Sequence, residues 1–158
     1  MLLSLLWGCS VKYSFTGASI SPDVKTVSIA FFQNLSPLVN PKLSSYFTEE
    51  LKSRFVSQTS LNLVTDFGDL NLSGEIRNYQ TAPVAIQGNE TAALNRLTIT
   101  VRVKFVNTKN TEQNFDKTFS HYYDFDSRED FNRLEEELVR IIVDKLVEDI
   151  FNSSVANW

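Results

Sequence analysis

Leu97-Thr98-Ile99-Thr100-Val101-Arg102-Val103-Lys104-Phe105 decides the fold. Odd positions are apolar and even ones polar or charged. A strand turns alternate side chains to opposite faces, so this is one β-strand with a packed face and a polar, cationic one. That division suits an antiparallel sheet covered on one side only. Asn107-Thr-Lys-Asn110 supplies turn residues, and Phe115 to Phe125 returns as a long strand, which predicts a hairpin.

Upstream, residues 82–93 read as an irregular connection holding Pro83 and Gly88. Leu70 to Gln80 reads as a strand with Leu72, Gly74 and Ile76 on one face, and Leu61 to Val64 as a short one. Residues 24–32 alternate as well, which predicts that Val27, Ile29 and Phe31 share a face. Gln33 to Val39 is a loop. Asn40-Pro41 then looks like an N-cap followed by proline at the first helical position. Leu43, Phe47, Leu51 and Phe55 recur every four residues with Tyr46 beside them, predicting an amphipathic helix over about 41–57. Ser127-Arg-Glu-Asp130 matches a capping box. The helix behind it carries Leu134, Leu138, Ile142, Leu146 and Ile150 on one stripe, flanked by Val139, Val143 and Val147. The expectation is an α+β two-layer sandwich in β-α-β-β-β-α order. Two helices cover one face of a mostly antiparallel sheet of four to five strands.

The 158 residues are enough for one ordinary domain. With 42% hydrophobic and 22% charged residues the composition is that of a soluble globular domain. A net charge of −4 argues against a general nucleic-acid binder. One His and one Cys are too few for a Cys/His zinc site. There is no glycine-rich phosphate loop and no Gly-x-Ser-x-Gly elbow.

The chain begins Met1-Leu-Leu-Ser-Leu-Leu-Trp-Gly-Cys9, with its single cysteine at position 9. The apolar run is too short to span a bilayer, which takes about 20 residues, and is close to a secretory h-region. Leu6-Trp7-Gly8-Cys9 resembles a bacterial lipobox. On that reading residues 1–8 are a signal-peptide remnant, and Cys9 carries diacylglyceryl and N-acyl chains that anchor the protein to a membrane. Residues 9–23 are then the lipidated cysteine and its tether, and 24–158 a single folded domain. No Lys or Arg precedes the run, which a start placed too far downstream explains. The alternative is a buried N-terminal strand with a core cysteine.

Few residues invite chemistry. His121 reads as a packed or rim histidine. Asp124 and Asp126 read as solvated loop carboxylates, or else as a cap or cation site. Glu135-Glu-Glu137 reads as a solvated face early in a helix. The polar face of the opening strand presents Arg96, Arg102 and Lys104, beside Thr98 and Thr100. Arg and Lys there either solubilise the strand or meet phosphate or carboxylate groups. The tail ends in Trp158, which either docks on its own sheet or anchors a partner.

Gly88-Asn-Glu-Thr-Ala-Ala-Leu-Asn-Arg-Leu-Thr-Ile-Thr-Val-Arg-Val-Lys-Phe105 resembles the LptE family of outer-membrane lipopolysaccharide-assembly lipoproteins, in its Bacteroidota-type form. Tyr13-Ser-Phe-Thr-Gly-Ala-Ser-Ile20, Pro37-Leu-Val-Asn-Pro41, Phe47-Thr-Glu-Glu-Leu51 and Leu146-Val-Glu-Asp-Ile-Phe-Asn152 resemble it too. The resemblance implies a non-enzymatic protein lipid-anchored at the periplasmic face of the outer membrane. It implies a plug that sits inside the β-barrel LptD, helps it assemble, and delivers lipopolysaccharide with it. It implies neither a separate cofactor nor a nucleic-acid partner. Arg96, Arg102 and Lys104 are candidates for contacting the barrel or lipopolysaccharide on physical grounds alone. The rival reading is an outer-membrane lipoprotein serving another secretion or assembly complex.

Overall fold

A computed structural model describes residues 20–38, 40–84 and 93–156. Cys9, the tether up to Ser19, the Gly88 connection and Trp158 lie outside the described residues. Six strands and two helices follow in the order β1 (Thr26–Ile29), β2 (Gln33–Asn34), α1 (Leu43–Gln58), β3 (Asn62–Val64), β4 (Leu70–Val84), β5 (Leu94–Asn107), β6 (Phe115–Asp126) and α2 (Phe131–Phe151). The α+β architecture is the expected one.

The sheet differs from the expected one in being mixed. β4, β5 and β6 form a long antiparallel meander, with Val101 opposite both Ile76 and Phe119. β1 is parallel to both of its neighbours, β3 and β4, and β2 is parallel to β4. The spatial order is β3-β1-β4-β5-β6, with β2 beside β4 beyond the end of β1. The chain order is β-β-α-β-β-β-β-α rather than β-α-β-β-β-α: β2 is added before α1, and four strands instead of three lie between the helices. α1 returns the chain to the same end of the sheet before β3, making β1 and β3 parallel, and the connection 65–69 brings it back again before β4.

Phe31 is also placed differently. Ile29 pairs with Leu72 and Gln33 with Glu75, so four residues on one side match three on the other. One extra residue reverses the alternation. Phe31 is therefore 60% exposed, and Phe32 is buried in its stead against Phe47, with ring centroids 5.1 Å apart. Thr48 on α1 accepts the Phe32 N–H at 3.1 Å. The ring lies over Gly74, whose missing Cβ would stand 2.7 Å from it.

Both helices cover the same sheet face and run in the same direction. Asn40 meets Glu135 at one end, and Phe55 packs on Phe151 at the other. The α1 stripe Leu43, Phe47, Leu51 and Phe55 is buried, as is the α2 stripe from Leu138 to Ile150. Together with Val101, Val103 and Phe105 they form one core. α1 begins at Leu43 rather than 41, yet Asn40 still caps it: its side-chain oxygen accepts N–H bonds from Lys42 and Leu43. α2 is capped by Asp130, which accepts from the Asn132 N–H, so Ser127 is not the cap. Asp126 instead holds the turn at Arg128. Glu135 is no solvated residue. Its carboxylate accepts from both Tyr79, which is 1% exposed, and Asn40, tying the starts of both helices to β4. Burial and the Glu135 bond push the Tyr79 phenol well above its usual range. α2 continues into a π-helical turn over Asn152–Ala156, where Ser154 and Val155 are buried.

Candidate functional site: the helix-free sheet face

The second face of the sheet has no helix on it. β4 contributes Asn71, Ser73, Glu75, Asn78 and Gln80 there, and β5 contributes Arg96, Thr98, Thr100, Arg102 and Lys104. These pair across with Asp116, Thr118, Ser120, Tyr122 and Asp124 of β6. The three candidate cations thus share one face, in two different settings.

Arg96 and Arg102 are each held by a carboxylate on β6. Arg96 donates to both oxygens of Asp124 at 2.6 and 2.8 Å, with its guanidinium carbon 3.7 Å from the Tyr122 ring centroid. Arg102 donates to both oxygens of Asp116 at 2.8 Å. These forks match planar guanidinium to planar carboxylate. They hold both carboxyls below the usual carboxylate range and raise both guanidinium groups. Each fork engages Nε and Nη2, so the aspartate neutralises the guanidinium while the side chain stays open to solvent. Lys104 lies opposite Asp116 and makes no ion pair or hydrogen bond among the described residues. Arg77, displaced by a β-bulge, pairs with Glu75 at 2.5 Å. Between the charges lie hydroxyls and amides, with Thr100 and Ser120 2.8 Å apart. The face is polar, nearly self-neutralised and low in free charge.

The remaining candidates are structural. His121 Nε2 lies 2.6 Å from Asp149 on the helix side, at the rim between β6 and α2. Asp124 pairs with Arg96 and Asp126 with Arg128; both carboxylates remain open to solvent, on β6 rather than in a loop. Among the described residues no three His, Cys, Asp or Glu side chains converge as a metal site. An open groove of about 930 Å³ runs between the helix starts, lined by Lys42, Tyr46, Arg133, Glu136 and Arg140. Desolvation raises the Tyr46 phenol there, and the lining mixes both charge signs.

Sequence reasoning found the cations but missed their partners. Asp116 and Asp124 stand on the same alternation of the returning strand, and a correct hairpin register would have paired them.

The model of a lipopolysaccharide-assembly family, LptE, matches residues 24–154. The chain belongs to the LptE family. The match takes in every strand and both helices, and this membership supports a role in lipopolysaccharide assembly. Solved structures resemble the LptE-family domain in fold. A minor lipoprotein from Acinetobacter baumannii is 17% identical, with a TM-score of 0.50 over 82% of this chain and 93% of that one. The hypothetical protein CT253 from Chlamydia trachomatis is 12% identical, with a TM-score of 0.52 over 85% of this chain and 99% of that one. No curated protein matches the sequence. In this LptE-family chain no described helix is long and apolar enough to cross a membrane.

Proposed function

We propose that this chain is a non-enzymatic outer-membrane lipoprotein. It is anchored through lipid on Cys9 at the periplasmic face, and it plugs and helps assemble an LptD-type β-barrel that delivers lipopolysaccharide to the cell surface. The LptE-family match over 24–154 carries this reading. The helix-free face supports it physically. Large barrels enclose a polar, water-filled interior. A plug needs a broad polar surface without uncompensated charge, because a lone ion desolvated against a wall is costly. The paired Arg96 and Arg102 and the hydroxyl and amide groups between them offer such a surface. Lys104 is the cation left for an anionic group on the barrel or on lipopolysaccharide. Cys9 separates anchoring from plugging: the acyl chains hold the protein at the bilayer, at about 0.8 kcal/mol per buried methylene, while the folded domain engages the barrel.

The test is a mild-detergent pull-down of the tagged protein from its native outer membrane, with partners identified by mass spectrometry. A stoichiometric large β-barrel of the LptD type is expected. Recovery of a different secretion complex would overturn the assigned function.

A further inference from the structure

Phe67 is 98% exposed, more than any other large apolar side chain described. Its φ of +55° also puts it in the left-handed region, where a bulky residue costs conformational energy that glycine would avoid. Neither feature aids folding, since the ring packs on almost nothing. Each is the kind of local cost a chain retains at a site of function.

The loop that displays this ring is rigidly held. Thr65 to Asp69 joins β3 to β4 and crosses β1, which lies between them. A Cβ on Gly68 would stand 2.7 Å from the Ser28 nitrogen, so only glycine lets the loop lie this close to β1. Asn71, on the helix-free face, donates to the Gly68 carbonyl at 2.6 Å. The Asp69 carboxylate accepts from the Lys25 and Thr26 N–H groups at 2.8 and 3.0 Å, and Lys109 lies 3.2 Å from it. A rigid platform lowers the entropy cost of docking. The loop therefore stands at the rim of the same face that carries Arg102 and Lys104. Phe31, 60% exposed, leaves β1 three residues past Ser28, and no charged residue occurs from Ala30 to Leu38.

We propose that Phe67 is a protein-docking anchor whose ring enters an apolar pocket with a cationic rim on the partner, with the exposed Phe31 of the β1–β2 link as a secondary contact. The proposal rests on the barrel reading above and names where that contact is strongest. Beside the ring the loop presents an unpaired carboxylate, because its other one, Asp69, is held by Lys25, Thr26 and Lys109. Asp66, next to Phe67, makes no ion pair or hydrogen bond among the described residues, and a phosphate-rich surface would repel it. Lys or Arg at a pocket rim would attract it. Contacts of this kind concentrate on a few aromatic residues seated in desolvated pockets.

The test titrates the detergent-solubilised barrel with the full-length protein and with its Phe67→Gly and Phe31→Ser variants, each also melted alone. Phe67→Gly is expected to weaken binding roughly 30-fold, the scale of an interface hot spot. It should leave the melting temperature unchanged or higher, because glycine relieves the left-handed strain. Phe31→Ser is expected to weaken binding by a smaller factor. Unchanged affinity in Phe67→Gly would overturn the proposal. A marked loss of stability in that variant would also overturn it, by showing the ring to be structural. Phe67-dependent sedimentation of the wild-type protein with phosphatidylethanolamine–phosphatidylglycerol vesicles would overturn it in favour of a lipid surface. Failure of the wild-type protein to bind the barrel at all would instead overturn the plug function itself.

Discussion

Gly74→Ala tests the joint between the two faces of the sheet. Gly74 lies on β4 opposite Val103, under the Phe32 ring. A Cβ built there stands 2.0 Å from the Arg102 carbonyl oxygen and 2.7 Å from the Phe32 ring. Side-chain tips yield cheaply, but the first obstacle is the backbone of a central strand, which has to retreat by about 1 Å or more. Overpacking of this kind costs roughly 1–3 kcal/mol, and a backbone obstacle places this site near the upper end. Alanine recovers about 0.4–1 kcal/mol by restricting the unfolded chain, leaving a net loss of about 2 kcal/mol. In a chain of this length that lowers Tm by roughly 4–8 °C. Thermal melts followed by circular dichroism, together with urea titration, measure it. Phe32→Ala should be non-additive with it, because removing the ring relieves one of the two clashes and leaves the carbonyl. A Gly74→Ala protein melting within about 1 °C of wild type would refute the packing described for β2, Phe32 and β4.

Four further outcomes are expected. Tyr79→Phe removes one of the two bonds to the partly exposed Glu135 and should cost roughly 1–2 kcal/mol in urea unfolding; no loss would show that Asn40 alone suffices. Asp69 and Asp126, held by backbone N–H bonds and by Lys109 and Arg128, are depressed from 3.8 to about 2. The unfolded chain then takes up protons before the folded one, so stability is complete above pH 3.8 and falls as pH drops toward 2; Tm measured across that window should decline, less steeply in Asp69→Asn. Cys9→Ala should move the protein to the soluble periplasmic fraction as a folded domain that binds the barrel weakly, and unfolding on that change would contradict lipid anchoring as the role of Cys9. Arg102→Glu with Lys104→Glu should weaken barrel or lipopolysaccharide binding while shifting Tm by roughly 2 °C or less, since exposed pairs contribute little; unaltered binding to both would remove this patch from the contact.

Periodicity shows which way side chains point, and this chain was legible wherever that question decided the structure. Leu97 to Phe105, the Leu43–Phe55 stripe and the Leu138–Ile150 stripe are buried as their spacing demands. Periodicity says nothing of strand direction, so the parallel pairing of β1 with β3 and β4 could not be read from it. It also fails across a single-residue insertion, which put Phe32 inside and Phe31 outside. Glu135 looked solvated because its partners, Tyr79 and Asn40, are 56 and 95 residues away. At the candidate site the cations were legible one strand at a time, whereas their neutralisation by Asp116 and Asp124 required the hairpin register. Phe67 offered only a weak signal, the turn-like Asp66-Phe-Gly-Asp69, because the exposure of an isolated residue has no period.

In the proposed plug role the helix-free face lies against the inside of a β-barrel. A photo-cross-linking amino acid at Thr100, mid-strand on that face, tests it in intact outer membranes. One adduct with the barrel is expected, mapping to alternate residues of its strands, those that face the lumen. Adducts confined to other proteins, or to lipid-facing positions of the barrel, would contradict it.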